Sequence, residues 1–150
     1  AAGCQLVAQC DLAVAAQGAR FGVNGIDVGL FCATPSVPLS RNMGPKQAME
    51  MLLTGDFISA EEAKARGLVN RVVPADALAE QTLAWARQIE ASAPLAVGRL
   101  KRLMRQSDQQ DLPTQLAVEA REFVACAGSA DFAEGVAAFL AKRPARFSGR

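Results

Sequence analysis

Histidine is absent from this 150-residue chain. Without an imidazole, Ser-His and Cys-His nucleophile schemes are excluded. Acid–base chemistry must then come from carboxylates or from the backbone. Tyrosine is also absent and tryptophan occurs once, so little is available for stacking on bases. The net charge is only +1, which leaves no electrostatic footprint for nucleic acid. No apolar run reaches the roughly 18 residues that a membrane span needs. The first residues lack the basic region of a signal peptide. The cysteines are Cys4, Cys10, Cys32 and Cys126, and none forms a C-x-x-C pair. With no histidine to assist, no metal site is expected. The expectation is reduced, buried thiols in a cytoplasmic protein. Internal repeats, low-complexity tracts and Ser/Gly/Pro linkers are missing as well.

What is present is ordinary for a globular chain: 51% hydrophobic and 21% charged residues, enough for one domain with a core. Residues 2–10 read as a short helix. DLAVAA (11–16) and the segment around Ala19, Arg20, Phe21 and Gly22 read as strands flanking a turn at Gln17 and Gly18. Residues 23–38 are dense in Gly, Asn and Pro and read as loop, with GIDVGL as a brief extended piece. A helical turn or two is expected from Leu39 to Met43. Pro45 suits the first position of a helix that Gly55 stops. Ser59 caps an acidic-started helix that ends at Gly67. LVNRVV (68–73) reads as a strand closed by Pro74. Asp76 is expected to cap a helix over 77–91. Further helices are expected from Pro94 to about Met104, from Leu112 to Ala127, and from Asp131 to Lys142, with Pro144 ending the last.

The fold class is therefore α/β, with a few strands followed by a mostly helical region. Residues 1–74 read as part of an α/β core and residues 75–150 as a helical region. LAVAA and LVNRVV look like members of a larger sheet, and the chain reads as a piece of a longer domain.

Three separated motifs stand in order: AGC-x-L-x-x-x-CD from Ala2, MEMLLTG to GLVNRVVP over 49–74, and EG-x-x-AF-x-x-KR-P from Glu134. Together they resemble the crotonase (enoyl-CoA hydratase/isomerase) superfamily. The resemblance covers essentially the whole chain but only the C-terminal portion of the family's usual domain. The loop GLFCATPSVPLSR is similar to the subgroup described as enoyl-CoA hydratase domain-containing proteins. The implied fold is the ClpP/crotonase-like fold.

The resemblance implies chemistry on acyl-CoA thioesters through a backbone oxyanion hole, with the CoA ester as substrate and no further cofactor. One donor would be the backbone N–H of Ala2, beside Gly3, at a helix N-terminus whose first N–H groups lack intrahelical partners. The plainer alternative is that Ala-Ala-Gly only packs a tight turn. The family's two acid–base glutamates map to Gln5 and Gly25. Gln can orient a water but cannot take its proton, and Gly can do neither. Efficient hydratase activity is therefore not expected. Asp27 would share a side with Gly25 on an extended segment, although a turn-capping role is the simpler reading. Asp11, Glu50, Glu61 and Glu62 read as local or surface acids. In the family, the Phe and Lys of the last motif help hold CoA, often from a neighbouring subunit. Here these are Phe139 and Lys142, which could equally belong to an ordinary amphipathic helix with a cationic end. Arg20, Arg41 and Lys101 are weaker phosphate candidates. The resemblance also implies a homo-oligomer, a trimer or dimer of trimers, built through the helical region. Three readings stay open: an enzyme on acyl-CoA, a non-catalytic acyl-CoA-binding protein, and an inert partner in mixed oligomers.

Overall fold

The computed structural model describes residues 2–150. It divides into two compact units, one reaching to Leu83 and the other spanning Ala84–Arg150.

The first unit opens with helix α1 (Ala2–Gln9), whose Cys4 and Ala8 sit one turn apart and are buried. Strand β1 (Val14–Ala16) pairs in parallel with β4 (Arg71–Val73), in the register Val14↔Arg71, Ala15↔Val72 and Ala16↔Val73. The expected strand at 68–73 is shorter, because Leu68 and Val69 turn into the core instead. Asn70 fixes the entry to both strands. Its N–H donates to the Ala13 carbonyl at 2.9 Å, and its Oδ1 accepts from the Ala13 N–H at 2.8 Å.

Strand β2 (Arg20–Phe21) pairs antiparallel with β3 (Ile58–Ser59). The turn at Gln17 and Gly18, with Gly18 at φ +84°, therefore does not close a hairpin. It hands the chain from one two-stranded sheet to the other. Two-residue β3 carried no pattern long enough to be read in advance.

The largest departure from expectation lies at 23–38. GIDVGL is not extended. Asn24–Val28 form a 3-10 turn, closed by left-handed Gly29 at φ +75°. Helix α2 (Ala33–Asn42) starts well before Leu39 and contains Pro38. An interior proline normally disfavours a helix by about 3 kcal/mol. Here Pro35, Pro38 and Leu39 are all buried. In addition, the Asn42 amide donates to the Ala8 carbonyl at 2.9 Å and to the Pro38 carbonyl at 2.8 Å, tying α2 to α1. Packing outweighs propensity, a result that composition alone could not reveal.

Helix α3 (Pro45–Thr54) follows, with Pro45 at its start and left-handed Gly55 after its end, as expected. Ser59 and Glu62 form a capping box on α4 (Ala60–Ala65). The core of this unit gathers Cys4, Ala8, Val23, Leu39, Met51 and Ala63 among others, with Val23, Leu39 and Ala63 fully buried.

Asp76 does not cap the next helix. It sits inside a 3-10 turn, Ala75–Ala77, that leads into α5 (Leu78–Glu90). The second unit contains α6 (Pro94–Ser107), α7 (Leu112–Ala127) and α8 (Ala130–Leu140). Asp111 and Ser129 cap α7 and α8 with their side chains. Helix α8 stops at Leu140, short of the expected Lys142. Lys142 is left-handed at φ +51°, and Arg143 N–H reaches the Ala138 carbonyl at 3.0 Å, a helix-ending motif. Pro144 therefore follows a helix that has already ended. Among the described residues, no single helix is long and apolar enough to cross a membrane. Helices α7 and α8 together meet the criterion, but they are bent by 67°.

Candidate functional site

Ala2 is the first residue of α1, so its N–H and those of the next residues have no intrahelical acceptor. Ala2 and Gly3 are exposed. A Cβ built on Gly3 would meet nothing within 4 Å among the described residues. Gln5 lies three residues on and is half-buried, on the same side of the helix as Ala2. One turn of α1 thus presents free backbone donors and a neutral amide, with no carboxylate. Cys4 points the other way, into the core. Burial pushes its thiol above the usual value, which disfavours the nucleophilic thiolate.

Gly25 sits in the 3-10 turn between Val23 and Gly29. Val23 and Cys4 share the hydrophobic core, which ties this loop to α1. The side of Gly25 where a side chain would emerge is occupied. A Cβ there would lie 2.8 Å from Cys32 Sγ and 3.1 Å from the Leu30 carbonyl oxygen. The Gly25 N–H donates to Cys32 Sγ at 3.0 Å, and the thiol donates to the Val23 carbonyl at 2.8 Å. Sequence reading missed Cys32 because no motif spacing relates residues 25 and 32.

Asp27 does not share a side with Gly25. The segment is a tight turn, and the Asp27 carboxylate lies against Gly55, with Oδ1 2.9 Å from where a Cβ would stand. Glu50 pairs with Arg66 at 2.7 Å, and Glu62 completes the capping box. Hydrogen bonds from Ser59 hold the Glu62 carboxyl below its ordinary value. Asp11 lies in the bend after α1, and Glu61 is exposed in the first turn of α4. Arg20 stacks over the Phe57 ring at 4.9 Å. Arg41 is in the last turn of α2, and Lys101 is on α6. Cys10 is exposed and Cys32 and Cys126 are half-buried, so only Cys4 meets the expectation of buried thiols.

Phe139 and Lys142 belong to the second unit. Phe139 is 82% exposed. With Leu95, Phe132, Val136, Leu140 and Phe147 it lines an apolar groove of about 380 Å³. Lys142 does not line that groove; it stands exposed just beyond α8. The same unit carries two carboxylates that were not singled out in the sequence. Asp131 is 2% exposed, and its oxygens accept from the N–H groups of Ser148 at 2.6 Å and Gly149 at 2.9 Å. These bonds hold its carboxyl below the ordinary value. Glu134 accepts from Arg143 at 2.7 and 2.8 Å and from the Arg146 N–H at 2.8 Å. Led by the Arg143 bonds, these contacts lower its pKa to about 2. Both carboxylates fasten the chain beyond α8.

The profile of the family described as Enoyl-CoA hydratase/isomerase matches residues 1–150. The human enoyl-CoA hydratase domain-containing protein 3, mitochondrial, is 44% identical over 143 residues, which is 95% of this chain and 47% of the relative. The 2,3-dehydroadipyl-CoA hydratase of Escherichia coli K12 is 38% identical over 150 residues, covering 99% of this chain and 59% of that protein. The crystal structure of an enoyl-CoA hydratase from Mycobacterium smegmatis superimposes with a TM-score of 0.93 at 48% identity, over 98% of this chain and 57% of that one. The chain spans about half the length of the curated relatives it matches. The expected crotonase fold, as its C-terminal portion, agrees with these likenesses. The chain belongs to the enoyl-CoA hydratase/isomerase family.

Proposed function

We propose that the full-length protein binds acyl-CoA thioesters and is a poor hydratase. The observation that carries this reading is the first turn of α1, where small residues Ala2 and Gly3 carry N–H groups that have no intrahelical acceptor. A helix N-terminus favours developing negative charge, and small residues let a thioester oxygen come close. The second donor of the oxyanion hole would come from outside this segment. Hydration also needs a group to activate water and a group to protonate carbon. Gln5 can hold a water by hydrogen bonding, and Gly25 contributes no side chain. The acid–base pair is therefore replaced at both positions.

A specific observation favours the non-catalytic form of this reading. The space where a side chain at position 25 would emerge is filled by the Cys32 thiol, which leaves no room there for a catalytic carboxylate. The rival reading, an inert partner in mixed oligomers, predicts little ligand binding.

Phe139 and Lys142 are proposed to contact CoA, Phe139 by packing and Lys142 as a point charge for phosphate. Residues 1–74 supply the α/β core, and residues 75–150 supply oligomerisation and CoA contact. The assembly is proposed to be a trimer or a dimer of trimers. Support comes from the exposed apolar side chains of α6 to α8, including Met104, Phe123 and Phe139. Unpaired thiols fit a cytoplasmic site of action.

The test is the loss of enoyl-thioester ultraviolet absorbance when the full-length protein meets crotonyl-CoA. The expected result is no turnover together with saturable binding of the ester. Turnover at the rate of an efficient hydratase overturns the proposal.

A further inference from the structure

Gly25 is not glycine for the sake of its backbone. Its φ lies outside the left-handed region, unlike those of Gly18, Gly29, Gly55 and Gly67. An alanine could adopt its conformation. What an alanine would lack is room. Its Cβ would fall 2.8 Å from Cys32 Sγ, 3.1 Å from the Leu30 oxygen and 3.4 Å from the Cys32 nitrogen. The two backbone neighbours are tethered. The Leu30 N–H donates to the Gly25 carbonyl at 3.1 Å, and the Cys32 carbonyl accepts from the Ser36 N–H at 3.2 Å and from the Ser36 hydroxyl. The thiol can only swing away by releasing both of its hydrogen bonds, one from Gly25 and one to Val23. Val23 is fully buried, so its carbonyl would lose a partner that water cannot easily replace.

We propose that Cys32 is the positioning residue of the 24–32 loop, and that residues 25 and 32 form a coupled pair in which the thiol takes the volume a side chain at 25 requires. The significance for function rests on the reading that position 25 is where the family's second glutamate stands. On that reading, the missing carboxylate is not a single replacement. The loop has been rebuilt around a thiol, and a carboxylate cannot return to position 25 while Cys32 keeps its place.

The experiment is a double-mutant cycle in the full-length protein with Gly25→Ala, Cys32→Ala and both together. Thermal midpoints are read alongside the rate of iodoacetamide labelling at Cys32 in the two thiol-bearing proteins. Gly25→Ala alone is expected to lower the midpoint by about 4 °C or more, as overpacking does. In the Cys32→Ala background the same change should cost less than half as much. Gly25→Ala should also expel the thiol, so that its labelling at least doubles. Cys32→Ser, with a smaller atom and the same two hydrogen bonds, should keep the parent midpoint more nearly than Cys32→Ala and soften the Gly25→Ala penalty. Additive midpoints, or unchanged labelling, overturn the pair. Binding of butyryl-CoA by the same proteins separates this proposal from the one it rests on. Coupling without any ester binding upholds the pair and removes the acyl-CoA reading.

Discussion

Ala2→Pro isolates the one donor on which the functional reading depends. Proline in a helix interior breaks a hydrogen bond and clashes with the preceding turn, but at the first helical position neither penalty applies. Ala2 holds that position in α1. Its N–H has no intrahelical acceptor, and its side chain is exposed. The substitution therefore removes a hydrogen-bond donor and leaves the helix intact. If that donor holds the thioester oxygen, its loss removes about 0.5–1.5 kcal/mol of net binding, which is about a twofold to tenfold weaker affinity. Any residual turnover should fall by about a hundredfold or more, because the charge that develops on oxygen depends on the donor more strongly than the ground state does. The assay is isothermal titration of the full-length protein with butyryl-CoA, with a thermal scan as control. A companion variant, Gly3→Ala, adds a methyl that meets nothing within 4 Å among the described residues. It should raise helix stability by up to about 1 kcal/mol while obstructing the ester. An Ala2→Pro protein with an unchanged midpoint and unchanged affinity refutes the assignment of this N–H.

Three further outcomes are expected. Leu39→Ala, at a fully buried position on α2, should cost about 3–5 kcal/mol and lower the midpoint by roughly 6 °C or more, measured by denaturant and thermal unfolding. The pair of Glu134 with Arg143 and Arg146 sets an acid limit for the chain beyond α8. The Glu134 pKa is depressed from 4.5 to about 2, so its stabilisation is complete above pH 4.5 and is lost as pH falls from there toward 2; the protection factor of the Arg146 amide, its exchange rate corrected for the intrinsic pH dependence, should fall over that window and stay constant above it. Adding Cys32→Ala to Gln5→Glu/Gly25→Glu should raise crotonyl-CoA hydration by about tenfold, since a carboxylate then has room to act as acid or base; equal rates with and without Cys32→Ala count against the coupled pair.

Local chemistry made several elements legible in the sequence. Pro45 and Gly55 bracket α3, Ser59 and Glu62 cap α4, and α7 spans Leu112–Ala127 as its pattern indicates. These signals lie at the helix ends themselves and need no partner distant in sequence. What stayed hidden depends on partners distant in sequence. Helix α2 holds Pro38 at a buried position, with Asn42 bridging 34 residues to Ala8 of α1. The strand β3 is two residues long and exists as a partner for Phe21 and Arg20. The first turn of α1 and the motif positions Gln5 and Gly25 could be named as candidates from the sequence. The filled space beside Gly25 could not, because it is set by where a loop seven residues away returns. The fastening of residues 148–150 by Asp131 is hidden for the same reason, since nothing in DFAEG marks its aspartate as buried.

The central claim is that an acyl-CoA thioester docks on the first turn of α1 without being efficiently hydrated. Its most direct test is the titration of the full-length protein with crotonyl-CoA while the enoyl-thioester absorbance is followed in the same cell. The account predicts saturable binding heat, weakened in Ala2→Pro, with the absorbance unchanged over the titration. A rapid loss of absorbance, or no binding heat in the parent protein, contradicts it.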